Sequence, residues 1–179
     1  MTLERELLQR ARSGGGEALE ALIRAIWPET YRLAFAILRD RSLGEDAAQD
    51  ACAAIAASLP SLKNLDAFGA WSYRIVVNRA LRLARDRESV RSLDECANAG
   101  ISGDPSDAID LYAAMARLDP QQRAVVLLHY YAGFTSSEIA TAIRMPASTI
   151  RFHLMRARRA LAEALRAQPA CEGRLSDVR

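Results

Sequence analysis

Apolar residues return along this chain at three- and four-residue intervals, and no stretch alternates in the way a half-buried strand requires. Leu3 to Arg12 reads as a short helix ended by Ser13, with Gly14, Gly15 and Gly16 as a flexible joint after it. Leu19, Leu22, Ile23, Ile26 and Trp27 form an apolar stripe. Pro28 then suits the first turn of a new helix carrying Leu33, Ala34, Ile37 and Leu38. Leu43 to Leu59 predicts a third, alanine-rich helix, and Asp66 to about Glu88 a fourth. From Ser89 the sequence SVRSLDECANAGISGDPSD loses all periodicity and reads as a tether. Periodicity resumes in Asp107 to Leu118 and Pro120 to Tyr131. The expected fold is all-α: two small helical domains, residues 1–88 and 107–168, joined by a flexible linker, 89–106, with a disordered tail, 169–179.

The last part of the pattern is the most specific. In FTSSEIATAIRMPASTIRFHLMRARRAL, Ile139, Ala140 and Ile143 give one short helix an apolar face, and Thr135 with Glu138 makes a capping box at its start. Pro146 cannot donate a hydrogen bond and biases Met145 away from helix, so the first helix must stop. Ala147 or Ser148 opens a second helix whose stripe is Ile150, Leu154, Ala157 and Leu161. Between Arg144 and Arg166 stand six arginines, at 144, 151, 156, 158, 159 and 166, against the single acid Glu163. A helix-turn-helix with a basic second helix suits the major groove of DNA, its early residues reaching base edges while flanking arginines hold phosphates.

Composition removes most other classes. The chain has 179 residues, is 50% hydrophobic and carries a formal net charge of only +2, so the arginine-rich end is a local footprint. No apolar run approaches membrane-spanning length and the start, MTLERELLQRARSGGG, lacks a signal-peptide core, which predicts a cytoplasmic protein without direct membrane insertion. Cys52, Cys96 and Cys171 lie far apart and His129 and His153 have no partner at ligand spacing, so neither a metal site nor a disulfide framework is expected. The three glycines lack the lysine of a phosphate loop. Neither an enzyme nor a cofactor is expected.

Two features of the first domain carry chemistry. Glu45, Asp46, Gln49 and Asp50 make one acidic end on the third helix. The macrodipole accounts for the first two acids and less well for Asp50. An acidic surface repels nucleic acid and fits a basic protein partner. On the fourth helix Phe68, Trp71, Ile75 and Asn78 share a side, while Arg74, Arg79, Arg82, Arg85 and Arg87 crowd its middle and end. Aromatic faces that stack bases, among cations that track a backbone, suggest a strand of nucleic acid across this helix; Trp71 serves equally well as a core residue. Asn78 must bond to protein if buried, or else to phosphate.

These pieces resemble a family. GEDAAQDAC (Gly44 to Cys52), FGAWSYRIVVNRALRLAR (Phe68 to Arg85) and LDPQQRAVVLLHYYAGFTSSEIATAIRMPASTIRFHLMRARRAL follow one another as the motifs of regions 2 and 4 do in bacterial RNA polymerase sigma factors of the extracytoplasmic-function (ECF) group, the two-domain form of the sigma-70 family. The resemblance covers about residues 17 to 166. It implies a factor that binds core RNA polymerase and directs promoter recognition, melting and transcription initiation. Glu45, Asp46, Gln49 and Asp50 would dock on the polymerase's largest subunit. Lys63, Asn64 and Asp66, with Trp71, Tyr73, Arg74, Asn78, Arg79, Arg82 and Arg85, would recognise and open the −10 element, holding a flipped base. Ser148, Thr149, Arg151, Phe152 and His153 would read the duplex −35 element, and Arg156, Arg158 and Arg159 would anchor its phosphates. An anti-sigma factor is the further partner implied.

The sequence also departs from the family's usual pattern. Ala47, Ala48, Ala51 and Cys52 stand where larger apolar residues are usual, which predicts a looser or differently packed first core. Ser72 replaces Leu, Arg82 replaces Asp, and Phe152 and His153 stand where Ser and Arg are frequent, pointing to an unusual −35 preference. Arg144 takes the turn position of a glycine and is strained there if its φ is positive. Two alternatives share parts of the pattern. A LuxR-like helix-turn-helix regulator would lack the helices of residues 44 to 87, and a sigma-like decoy for an anti-sigma factor would keep the fold without directing transcription.

Overall fold

A computed structural model describes residues 5–91 and 115–166. Residues 92–106 of the expected linker with Cys96, residues 107–114 of the helix expected from Asp107, and the expected tail with Cys171 lie outside the described residues. Residues 89–91, expected as linker, instead continue the helix before them. Among those described, the order is α1 (Arg5–Arg12), α2 (Gly16–Leu38), α3 (Arg41–Ser58), α4 (Phe68–Arg91), α5 (Pro120–Val126), α6 (Ser136–Ile143) and α7 (Ala147–Arg166). Short 3₁₀ turns at Leu59–Ser61 and Leu65–Ala67 connect α3 to α4. No strand occurs among these residues.

The first correction concerns Pro28. It starts no new helix but lies inside α2, which runs unbroken past it. Proline removes one backbone donor, leaving the Arg24 carbonyl without its helical bond. Both Pro28 and Arg24 are exposed, so water can satisfy that group, while Leu22, Ile26, Leu33, Ala34 and Ile37 stay on one buried face. The glycines are likewise no loose joint. Gly14 turns with φ 93°, and the amides of Gly14 and Gly15 bond the carbonyls of Ala11 and Arg10 at 3.3 and 3.2 Å, fixing α1 against α2.

Around the small residues of α3 the core is differently packed, as one of the two expectations had it, and not looser. Ala47, Ala48 and Ala51 are fully enclosed. They let α3 lie close on α2: a Cβ on Gly44 would come 3.2 Å from the Phe35 Cα. The core is thus filled by close helix approach, not by long side chains. Cys52 is buried, as expected of a small core residue. Ser72 is buried too, and its hydroxyl donates to the Gly69 carbonyl at 2.9 Å, which removes the cost of an unpaired polar group.

In the second helical group Met115 and Leu118 pack against Val126 and Ala157, and α5 follows at Asp119. This residue caps α5 in a reciprocal box with Gln122, and Pro120 fits the first turn. Leu127–Tyr131 then widens into a π turn, turning Tyr130 and Tyr131 outward. Thr135 and Glu138 form the expected capping box of α6. Arg144 ends α6 with φ 56°, the left-handed conformation that makes its side chain a strain. Ala142, more than Ala140, completes the buried face of α6 with Ile139 and Ile143.

The two helical groups share one continuous apolar cluster. Leu33, Ile37, Val77 and Leu81 of α2 and α4 pack with Val125, Leu128, Ile139 and Ile143. A second cluster under α1 joins Leu8, Leu22, Ile26, Ile55 and Phe68.

Candidate protein and nucleic-acid interfaces

The acidic face is built by the start of α3. Asp40 caps the helix, its carboxylate accepting from the Leu43 amide at 3.1 Å and pairing with Arg87 at 2.6 Å. The capping bond, more than the Arg87 charge, holds the Asp40 carboxyl below its ordinary pKa. With the alanines turned inward, Glu45, Asp46, Gln49 and Asp50 all face solvent on the opposite side. Glu45 has an exposed i,i+4 partner, Arg41, at 3.6 Å, too solvated to neutralise the face. The predicted set is therefore together and accessible.

The residues predicted for the −10 element divide. Lys63, Asn64, Asp66, Arg74, Arg82 and Arg85 are exposed, and Arg79 is half-buried. Within the loop, Asn64 caps the turn by accepting from the Asp66 amide at 2.9 Å, and Asp66 pairs with Arg5 at 2.6 Å. Trp71 is half-buried against Phe68, ring centroids 5.8 Å apart. Arg82 has Asp86 at 3.8 Å.

Tyr73 is buried, which departs from the expectation that it faces nucleic acid, whereas Asn78 stays exposed while also bonding to protein. Tyr73 is only 9% exposed; its hydroxyl donates to the Glu29 carboxylate and its ring meets Tyr131 edge-on at 6.3 Å. Burial and the adjacent carboxylate both raise its pKa. The Asn78 amide donates to the Arg74 carbonyl at 2.7 Å and, across to α6, to the Ala142 carbonyl at 3.0 Å. Asn78 is engaged by α6, and Tyr73 by Glu29 of α2 and by Tyr131 of the π turn, a packing between helices that local periodicity does not encode.

One residue that sequence reasoning missed dominates this contact. Arg123 is buried on α5, its Nε donating to the Ile37 carbonyl at the end of α2 at 2.6 Å and its Nη1 to the Leu118 carbonyl. Burial, followed by the like charge of Arg39 and opposed by Asp119, lowers its pKa to about 10. Its sequence signal was a lone arginine beside Ala124, Val125 and Val126, at a position too apolar for a solvated cation. Tyr131, also unassigned, donates to Glu29 at 3.3 Å.

The basic face lies on α7. Ile150, Leu154 and Ala157 are buried, leaving Ser148, Arg151, Phe152, Arg156 and Arg159 exposed on the outer side. Thr149 is half-buried on the flank. The Arg156 guanidinium stands 5.8 Å from the Phe152 ring centre. Arg158 is turned to Tyr130, donating to its hydroxyl at 2.5 Å, and Arg159 pairs with Glu163 at 2.8 Å. His153 is half-buried, with its Nδ1 enclosed and without a hydrogen-bond partner. It therefore sits beside the outer ridge, not on it.

Among the described residues no group of three or more His, Cys, Asp or Glu side chains could hold a metal ion, and no helix is long and apolar enough to cross a membrane.

Comparison with known proteins matches the two helical groups separately. The profile "Sigma-70 region 2" matches residues 22–90, and "Sigma-70, region 4" matches residues 108–161. ECF RNA polymerase sigma factor SigM of Mycobacterium tuberculosis is 29% identical over 163 residues, 89% of this chain and 83% of its own. RNA polymerase sigma factor SigV of Bacillus subtilis is 24% identical over 130 residues, 71% of this chain and 78% of its own. Among solved structures, the sigma factor RpoE of Bartonella quintana, in complex with the anti-sigma factor NepR, aligns with a TM-score of 0.66 at 23% identity, covering 84% of this chain and 98% of that one. CnrH, in complex with the cytosolic domain of CnrY, aligns with a TM-score of 0.60 at 21% identity, over 92% and 98%.

Proposed function

The chain belongs to the sigma-70 family, and from that premise we propose how its surfaces serve an ECF sigma factor that binds core RNA polymerase and directs initiation at promoters in the cytoplasm. The observation that carries this reading is the order of the two matched regions together with their opposite surface chemistry. Region 2 exposes an anionic face on α3, and region 4 exposes an arginine-flanked face on α7. The first repels DNA and suits a basic protein surface, while the second suits phosphate. The reaction itself belongs to the polymerase.

In this reading Glu45, Asp46, Gln49 and Asp50 dock the polymerase. Arg151 and Phe152, with Ser148 before them, enter the −35 major groove, and Arg156 and Arg159 hold its phosphates. Lys63, Arg74, Arg79, Arg82 and Arg85 track the −10 strand beside Trp71. Asn78 gives up its bond to α6, and Tyr73 is uncovered, when α6 and the π turn leave α4. The packed arrangement is then a resting form, and polymerase binding draws the two regions apart. An anti-sigma factor, such as the one that holds the Bartonella relative, would act by keeping them together. A LuxR-like regulator is disfavoured by the match over residues 22–90.

Run-off transcription with core polymerase tests the assignment. The chain should support initiation at promoters of its own genome, Asp46→Ala should lower it at all of them, and Arg151→Ala should relax the −35 preference. Initiation with unchanged −35 preference by Arg151→Ala would remove the base-reading role of that residue. A chain that binds polymerase yet initiates nowhere would instead be the decoy.

A further inference from the structure

The outer ridge of α7 carries two large apolar side chains where hydrogen-bonding groups would be expected. Phe152 is 50% exposed and Met155 is 59% exposed. At 100° per residue they lie side by side along the middle of the exposed face, between Ser148 before them and Arg159 beyond. Arg151 stands on one flank of that ridge and Arg156 on the other, the latter with its guanidinium by the Phe152 ring. Arg159 is engaged by Glu163 at 2.8 Å. His153 is turned aside and Arg158 is held by Tyr130. For more than a helical turn beyond Ser148, the ridge itself therefore offers no donor or acceptor to a base edge.

A surface of that kind can still discriminate bases. In the major groove the one apolar group that a base pair presents is the thymine C5 methyl. Pressing a phenyl ring and a thioether chain against a G·C edge would strip water from polar atoms and return no hydrogen bond. Pressing them against a thymine methyl buries apolar surface on both sides. The three-residue step from Phe152 to Met155 advances roughly 4.5 Å along the helix, within about 1 Å of the ~3.4 Å rise between neighbouring base pairs, so the two side chains meet adjacent pairs. Arg151 reaches a base edge from one flank while Arg156 on the other fits the phosphates, which selects duplex DNA as the occupant over a neutral protein groove.

We propose that Phe152 and Met155 together read thymine methyl groups in the −35 element, Met155 being a specificity residue that the sequence reading did not assign. The inference rests on the −35 role of α7 and narrows it to T-bearing duplex DNA.

The test uses the holoenzyme, the full chain bound to core polymerase. Its preferred −35 duplex is selected from a randomised library, then resynthesised with deoxyuridine in place of each thymine in turn. That exchange deletes a methyl and leaves every hydrogen-bonding group intact. One or two adjacent positions should respond, with about threefold to tenfold weaker binding per methyl lost. Phe152→Ala and Met155→Ala should weaken binding to the thymine duplex and erase the difference at their own position. Both positions are exposed, and an unchanged helical circular dichroism signal verifies the fold of each variant. Selection of a defined −35 sequence that binds equally well with thymine or uracil overturns the methyl reading and leaves the −35 role of α7 standing. Deoxyuridine sensitivity that persists in both variants overturns it as well. Failure to select any −35 sequence overturns both.

Discussion

Arg144 ends α6 with φ 56° and Arg39 ends α2 with φ 55°. Each places a Cβ where only glycine is at ease, at a cost of about 1 to 2 kcal/mol. Arg144 is exposed and its turn is needed for the angle between α6 and α7, so Arg144→Gly should raise stability in urea unfolding by about 1 kcal/mol. Asp40 gives a pH-dependent counterpart. Its carboxyl pKa is lowered in the folded state by the Leu43 amide and then Arg87, so its contribution is present above the unfolded pKa near 4 and is lost as pH falls through the lower folded value. Asp40→Ala should cost about 1 kcal/mol at pH 7, chiefly the helix cap, and the difference from the parent should narrow below pH ~4 in urea titrations. The strain at Arg144 was legible as a condition, because the position asks for glycine. That the φ is in fact positive depends on how the turn closes.

At the scale of elements, α2 and α3 set the shape of the first region. Pro28 leaves one carbonyl of α2 unpaired on its exposed side, so Pro28→Ala should restore a helical bond and raise the thermal midpoint, by about 1 to 3 kcal/mol in stability. Gly44 works in the opposite sense. A Cβ there already meets the Phe35 backbone at 3.2 Å, and Gly44→Val should cost about 2 kcal/mol or more by forcing α3 off α2, measured by thermal unfolding. Helix existence was legible among the described residues, and so were the start and stop of α6, because its cap and its proline are local signals. The continuity of α2 was not, since a proline inside a helix and one at a helix start look alike until its solvent side is known. Nor was the tight α2–α3 approach. Alanines read as missing bulk when the partner helix is out of view.

For the whole molecule, the shared cluster joins what the sequence divides. Local patterning placed the acidic face of α3 and the basic face of α7 correctly on the surface because each follows from a single helix's periodicity. It did not show that Tyr73 is buried against Glu29 and Tyr131, and it passed over the bonds of Asn78 to Ala142 and of Arg123 to Ile37, because Tyr131, Ala142 and Arg123 lie beyond the linker. Removing ties that cross the contact without altering its apolar packing, as in Asn78→Ala with Tyr131→Phe, should shift the packed form toward separation. Two hydrogen bonds at about 1 kcal/mol each change that equilibrium by tenfold or more, read as lost energy transfer between a dye on α3 and one on α7.

The account as a whole depends on α3 joining this protein to the transcription machinery, and the affinity of the purified chain for core RNA polymerase tests that most directly. Binding should be tight at low ionic strength and weaken with added salt, and reversing the charge of Asp46 and Asp50 to arginine should weaken it more than tenfold while the helical signal is unchanged. No association, or full affinity retained by the charge-reversed chain, would contradict it.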